Sequence, residues 1–235
     1  HIQVEEVRAT GALKTRRILP IADVSGSMQC DNGMPMLNSI SLSLLIADAS
    51  EGPMSGHVFT FDTEPSLVAL EGTSFRARAE EVARIPWGGC TNFVKTFETC
   101  LAFMQGNDVK AEDAPEVFLC ISDMQFNDAG GSDSWGVTNY QYVKGLYEAA
   151  GYPVPQIWFW NVQGNTPDFP VVANQPGVAC VSGYSPTVLK LLMSAQEPTP
   201  YLVMRAAIDV PRYAMVDGII AGSENSWEEV VSERN

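Results

Sequence analysis

The order of apolar segments predicts an α/β protein: a central, mostly parallel sheet flanked by helices on both faces. Short runs rich in β-branched and aromatic residues alternate with longer stretches of helical periodicity through most of the 235 residues. Glu116-Val117-Phe118-Leu119-Cys120-Ile121 is apolar without alternation, the pattern of a parallel strand covered on both faces. A hydrophobic content of 46% is ample for a core of that kind. The domain is expected over 17–210, with an N-terminal extension or linker at 1–16 and a C-terminal extension at 211–235.

Arg17 to Ala22 is the first predicted strand. Pro35, tolerated in a first helical turn, opens a helix that Met36 to Ala49 continue with apolar residues on nearly every face. Gly56 to Phe61 is the next strand, and Ser66 to Leu70 pairs with it at an edge. Ser74 to Ile85 reads as an amphipathic helix with Phe75, Ala79, Val82 and Ala83 on one side. A helix from about Thr91 places Phe93, Phe97, Cys100, Leu101 and Met104 at helical spacing. The strand ending at Ile121, a Gly/Asp/Ser loop at 127–134 and a helix from Val137 to Ala150 follow. Strands at Gln156–Val162 and Gly177–Val181 and helices at Pro186–Ala195 and Tyr201–Ile208 complete the alternation. In Trp158-Phe159-Trp160 the tryptophans share one face of a buried strand, a packing role.

The formal net charge of −14 argues against direct nucleic-acid binding, since Arg16-Arg17 and Arg76/Arg78 are the densest basic spots. No apolar stretch approaches the ~20 residues of a membrane span. Cys30, Cys90, Cys100, Cys120 and Cys180 form no Cys-x-x-Cys pair and suit a reducing, intracellular and cytoplasmic setting as free thiols. The start at His1 predicts an excised or processed fragment.

Three loops carry the chemistry. Asp23-Val24-Ser25-Gly26-Ser27 follows the first strand, Thr91 stands at a helix start after Gly88-Gly89, and Asp123 directly follows the apolar strand. A parallel sheet brings such carboxyl ends together. Each residue alone reads equally as a turn or cap. Together they are two carboxylates and three hydroxyls, all hard oxygen donors, which suits Mg²⁺, with Mn²⁺ or Ca²⁺ as substitutes. His1 and His57 are not placed to contribute, which disfavours zinc. Asp128 and Asp133 read as a solvated acidic loop.

Asp23, Ser25, Ser27, Thr91 and Asp123, in this order and strand context, resemble the metal-ion-dependent adhesion site of von Willebrand factor type A (vWA) domains. The resemblance covers roughly Arg17 to Ala195 and implies the Rossmann-like vWA fold. It makes Ser25, Ser27 and Thr91 direct or near-direct ligands, with Asp23 and Asp123 binding directly or through water. Trp87-Gly88-Gly89-Cys90-Thr91-Asn92, Ser122-Asp123-Met124-Gln125-Phe126, Pro155-Gln156-Ile157-Trp158-Phe159-Trp160-Asn161 and Val181-Ser182-Gly183-Tyr184-Ser185 resemble a little-characterised intracellular family of plants, fungi and large viruses. There the A domain follows a TROVE-like helical region. The resemblance implies a non-enzymatic, metal-dependent protein-binding module. Its partner would offer a carboxylate, from another protein or from a helical domain of the same polypeptide. The competing reading is a Mg²⁺-dependent, phosphatase-like hydrolase with Asp23 as nucleophile. That reading wants an acid two residues on, where Ser25 stands, and a phosphoryl clamp, for which Lys95 is the nearest candidate.

Overall fold

The computed structural model describes residues 17–50, 52–60, 65–85, 93–124, 140–163 and 177–183, with Tyr201 and Met204. The chain divides into two units, His1–Pro186 and Thr187–Asn235, and the strands and helices below all belong to the first. Six strands form one sheet: β1 (Ile18–Ala22), β2 (His57–Thr60), β3 (Leu67–Ala69), β4 (Val117–Ser122), β5 (Gln156–Asn161) and β6 (Val178–Ser182). Their order is β3-β2-β1-β4-β5-β6, and every pairing is parallel except β2 with β3. The expected edge strand is thus present, antiparallel as a short connection allows.

The helices are α1 (Cys30–Ala49), α2 (Phe75–Ala83), α3 (Phe93–Gly106) and α4 (Tyr140–Ala149). On one face of the sheet, Ala22 and Val58 pack with Ile40, Leu44 and Ala47 of α1 and Val82 of α2. On the other, Leu19, Ile21, Phe59, Phe118, Cys120 and Phe159 meet Phe97, Cys100 and Met104 of α3 and Val143 and Tyr147 of α4. Phe97 stacks at 4.6 Å from Phe118, and the Tyr147 hydroxyl donates to the Phe97 carbonyl at 3.2 Å. Val117–Ser122 is buried at every position, as its unbroken apolar run requires.

Pro20 sits in the central strand β1 and shapes its pairing. The Asp23 amide donates to the Ile121 carbonyl, so the odd-numbered residues of this stretch face β4 and the even-numbered ones face β2. Pro20, lacking an N–H, therefore falls on the β2 side, where the register begins only at Ile21 and Ala22. The Ile18 carbonyl on that side is taken by the Ser50 hydroxyl at 2.8 Å.

The helix expected from Pro35 does start there in its regular form. Ahead of it Asp31, Asn32 and Gly33 take left-handed backbone angles (φ 48°, 57° and 76°). Asp, Asn and Gly are the residues that tolerate such angles. Phe75 and Ala83 depart from the amphipathic face predicted for α2: Phe75 is 44% exposed and Ala83 is also exposed. Arg78 occupies the packed side instead, its guanidinium paired with Asp48 of α1, alongside Ala79, Val82 and Ile85. Phe75 stands in the first turn, ahead of that contact. The helices expected at 186–195 and 201–208 lie outside the described residues, apart from Tyr201 and Met204, as do the 127–134 loop with Asp128 and Asp133, and Cys90. Among the described residues no helix is long and apolar enough to cross a membrane.

Candidate metal centre

The strand order changes direction at β1, whose sheet neighbours β2 and β4 both follow it in the chain and lie on opposite sides of it. In open α/β sheets ligands bind in the crevice beyond the carboxyl ends at such a point. Asp23 leaves β1 there, and Asp123 leaves β4 beside it. The Asp23 amide still donates to Ile121 at 3.0 Å, extending the β1–β4 ladder to the first residue of the triplet. The same carbonyl accepts from the buried Ser39 hydroxyl of α1 at 3.0 Å, which ties that helix to the strand ends.

The triplet closes on itself. The Ser25 amide donates to Asp23 Oδ1 at 2.9 Å, an Asx turn, and a 3-10 turn over Gly26–Gln29 follows. The Ser25 and Ser27 hydroxyls lie 3.1 Å apart, so their oxygens share one place. Met28 points inward at 0% exposure and anchors the turn, while Ser25 and Ser27 are half-buried. Asp23 Oδ2 accepts from the Ser122 hydroxyl at 2.5 Å, and that hydroxyl accepts from the Met124 amide at 3.0 Å. Met124 takes a left-handed φ of 63° although it is a buried, bulky residue. Such backbone persists only where its surroundings enforce it, and the Ser122 hydroxyl and the core around Met124 do so here.

An ordinary surface turn leaves its aspartate in water. Asp23 and Asp123 are 1% and 0% exposed. Burial pushes the Asp23 carboxyl above its ordinary range. Hydrogen bonds from Ser122 and from the Ser25 hydroxyl and amide pull it back, and the charge of Asp123 adds to the rise. The influences on Asp23 thus comprise hydroxyls, an amide and a second acid. Among the described residues no three His, Cys, Asp or Glu side chains gather, and the donors around Asp23 are oxygens of mixed type.

Asp23, Ser25, Ser27 and Asp123 are therefore brought to neighbouring strand ends, as their spacing predicts. Thr91 lies outside the described residues. His57 packs at 5.8 Å from Phe103, with Nδ1 2.9 Å from the Ser55 carbonyl, a structural position. Cys30 accepts from the Gln163 side-chain amide at 3.1 Å, which links the start of α1 to the segment after β5. Trp158 and Trp160 are fully buried, and the Trp160 indole donates to the Gly183 carbonyl at 2.7 Å. Sequence reasoning missed Ser122 and Ser39. Both are serines inside apolar segments, and only that misfit of type and burial could have marked them.

The fold is shared with solved structures. The Ro (RSR) protein of Deinococcus radiodurans superposes with a TM-score of 0.52 at 16% identity, over 78% of this chain and 34% of that one. Manganese-loaded TRAP protein of Plasmodium vivax matches with a TM-score of 0.42 at 15% identity, over 77% of this chain and 73% of that one. The mostly parallel six-stranded sheet with helices on both faces is a Rossmann-like, vWA-like fold. In sequence, the uncharacterised protein L728 of Acanthamoeba polyphaga mimivirus is 32% identical over 186 residues, 78% of this chain and 31% of the relative. The chain thus spans about a third of the length of that relative. A profile described as a domain of unknown function, DUF7788, matches residues 17–204, and the chain belongs to that family.

Proposed function

We propose that this domain is a metal-dependent protein-binding module rather than a catalyst. The observation that carries the reading is the pair Asp23 and Asp123: both buried at adjacent strand ends, with the charge of Asp123 felt at Asp23 and serine hydroxyls gathered about Asp23. Two buried acids so placed are unfavourable without a positive charge, and all-oxygen donors with only two carboxylates suit Mg²⁺ or Mn²⁺. Asp23, Ser25, Ser27 and Asp123 would hold the ion, together with Thr91 from the helix start that the sequence places nearby. A divalent ion bound there supplies an electrophilic coordination position for a carboxylate offered by a partner.

The residues present do the positioning. Ser25 and Ser27 bring neutral oxygens to one place, so the ion's charge is balanced by two acids only and attraction for a third is kept. The acidic chain, net −14, favours a partner that offers one carboxylate on a neutral or basic surface. In longer relatives that partner could be a second domain of the same polypeptide, with a TROVE-like helical region as the candidate the family resemblance implies. Against a phosphatase, both Asp23 oxygens accept hydrogen bonds from the protein, and position 25 holds serine where a second acid is needed.

The test is thermal unfolding with Mg²⁺, Mn²⁺ or EDTA, for wild type and Asp23→Ala. The expected result is a cation-dependent rise in melting temperature that EDTA reverses and Asp23→Ala lacks. A folded wild type indifferent to both cations would remove the metal reading. Capture of partners from extract with and without EDTA then tests adhesion, and turnover of a generic phosphate ester lost on Asp23→Asn would favour catalysis instead.

A further inference from the structure

We infer that Ser122 is a positioning residue for this centre: its hydroxyl locks the Asp23 carboxylate to the sheet and sets the cation affinity. The inference rests on the metal reading above. Ser122 is the last residue of β4 and is fully buried. Its backbone is held against β5, by register with Asn161 and by the Val162 amide donating to its carbonyl at 3.0 Å. A hydroxyl owns one proton. The Met124 amide donates to this oxygen at 3.0 Å, and the proton is spent on Asp23 Oδ2 at 2.5 Å.

Asp23 is consequently gripped at both oxygens from two different segments, by Ser122 at the end of β4 at Oδ2 and by the Ser25 amide at Oδ1. Rotation of the carboxylate would break both contacts and strand a buried hydroxyl. The chain from the Met124 amide through Ser122 to Asp23 also ties the backbone that flanks Asp123 to the other acid. One side chain thus holds the two acids in a common frame, and the remaining lone pairs of Asp23 keep a fixed direction toward an incoming ion. Groups that orient metal ligands in this way are commonly worth about 10–100-fold in affinity.

The experiment measures Mn²⁺ affinity by titration calorimetry on the whole chain, well below its melting temperature, for wild type, Asp23→Ala, Ser122→Thr and Ser122→Val. Threonine keeps the hydroxyl and valine removes it at nearly the same volume. Expected is near wild-type affinity for Ser122→Thr and a loss of about tenfold or more for Ser122→Val. Ser122→Ala, which adds no bulk, decides where the extra methyl disturbs packing and is expected to match valine. A merely structural serine would lower the melting temperature of the hydroxyl-free variants and leave their Mn²⁺ affinity unchanged. That outcome, with wild type binding and Asp23→Ala silent, overturns the role of Ser122 alone. A wild type that binds no Mn²⁺ overturns the metal reading and this inference with it.

Discussion

The two ends of the sheet handle charge in opposite ways. At the amino end Arg17 donates to Glu116 Oε1 at 2.7 Å and to the Ala114 carbonyl at 2.8 Å, and Ser50 closes the Ile18 carbonyl. Opposite charges meet there, about one-third exposed, and backbone groups are satisfied by neighbouring side chains. At the carboxyl end two acids of like charge are buried together, and serines hold one of them, Asp23. A sheet can be closed without such a pair, as the amino end demonstrates. Like charges driven together in burial oppose folding, so this pair at the carboxyl ends of β1 and β4 is the feature on which the proposed binding role rests.

The contrast is broken most severely by cation titration. At a hundredfold excess over its dissociation constant, Mn²⁺ should stabilise wild type by about 2.7 kcal/mol, roughly 5–10 °C for a domain of this size. Arg17→Ala should retain the whole increment and Asp23→Ala none of it, as scanning calorimetry would read. Equal responses in the two variants would erase the distinction between the ends.

Acidity offers the next test. The folded state raises the Asp23 carboxyl above its ordinary value of 3.8, so the contribution of this group to cation-free stability is present below that value and lost as pH rises through the elevated one. In EDTA, Asp23→Asn should therefore gain on wild type as the buffer moves from acidic to neutral, measured by urea midpoints. Mn²⁺ binding needs the ionised form, so its affinity should begin to fall on acidification above the ordinary carboxylate range. A difference between Asp23→Asn and wild type that stays flat with pH would contradict this.

Smaller still is the change at the amino end. The Arg17–Glu116 pair is partly exposed, so Arg17→Ala should cost below about 1 kcal/mol by urea denaturation and leave Mn²⁺ affinity intact. Last, thiol labelling leaves stability untouched and asks whether the sheet between the ends is closed. Among the described thiols Cys180, exposed on β6, should react before Cys100 and Cys120. Cys100, pushed up to about 12 by burial, and Cys120, raised well above the usual thiol range by burial, should react only on unfolding. Mass spectrometry of labelled native protein reads the order.

What the sequence could say followed from local regularities. Val117 to Ser122 announced a strand buried on both faces because no residue in its first five positions is polar. That Asp23, Ser25, Ser27 and Asp123 come to neighbouring strand ends was legible because the ends of apolar strands can be located in the sequence. Phe75 was misplaced because periodicity gives a direction around the helix axis and says nothing of where along that axis the neighbour ends. The left-handed turn at Asp31-Asn32-Gly33 was hidden because each residue type tolerates such backbone without demanding it. Ser122 escaped notice for a further reason: its partner lies 99 positions earlier.

That separation bears on how the domain is made. Loop closure over so long a stretch is entropically unfavourable until the intervening strands and helices have condensed, and parallel pairing of β1 with β4 is slow to form for the same reason. During synthesis the triplet leaves the ribosome well before Ser122 and Asp123, so a nascent chain cut short before β4 carries only half of the centre. Occupancy by an ion would therefore follow the pairing of β1 with β4, and it would report that these two strands have met in their native order.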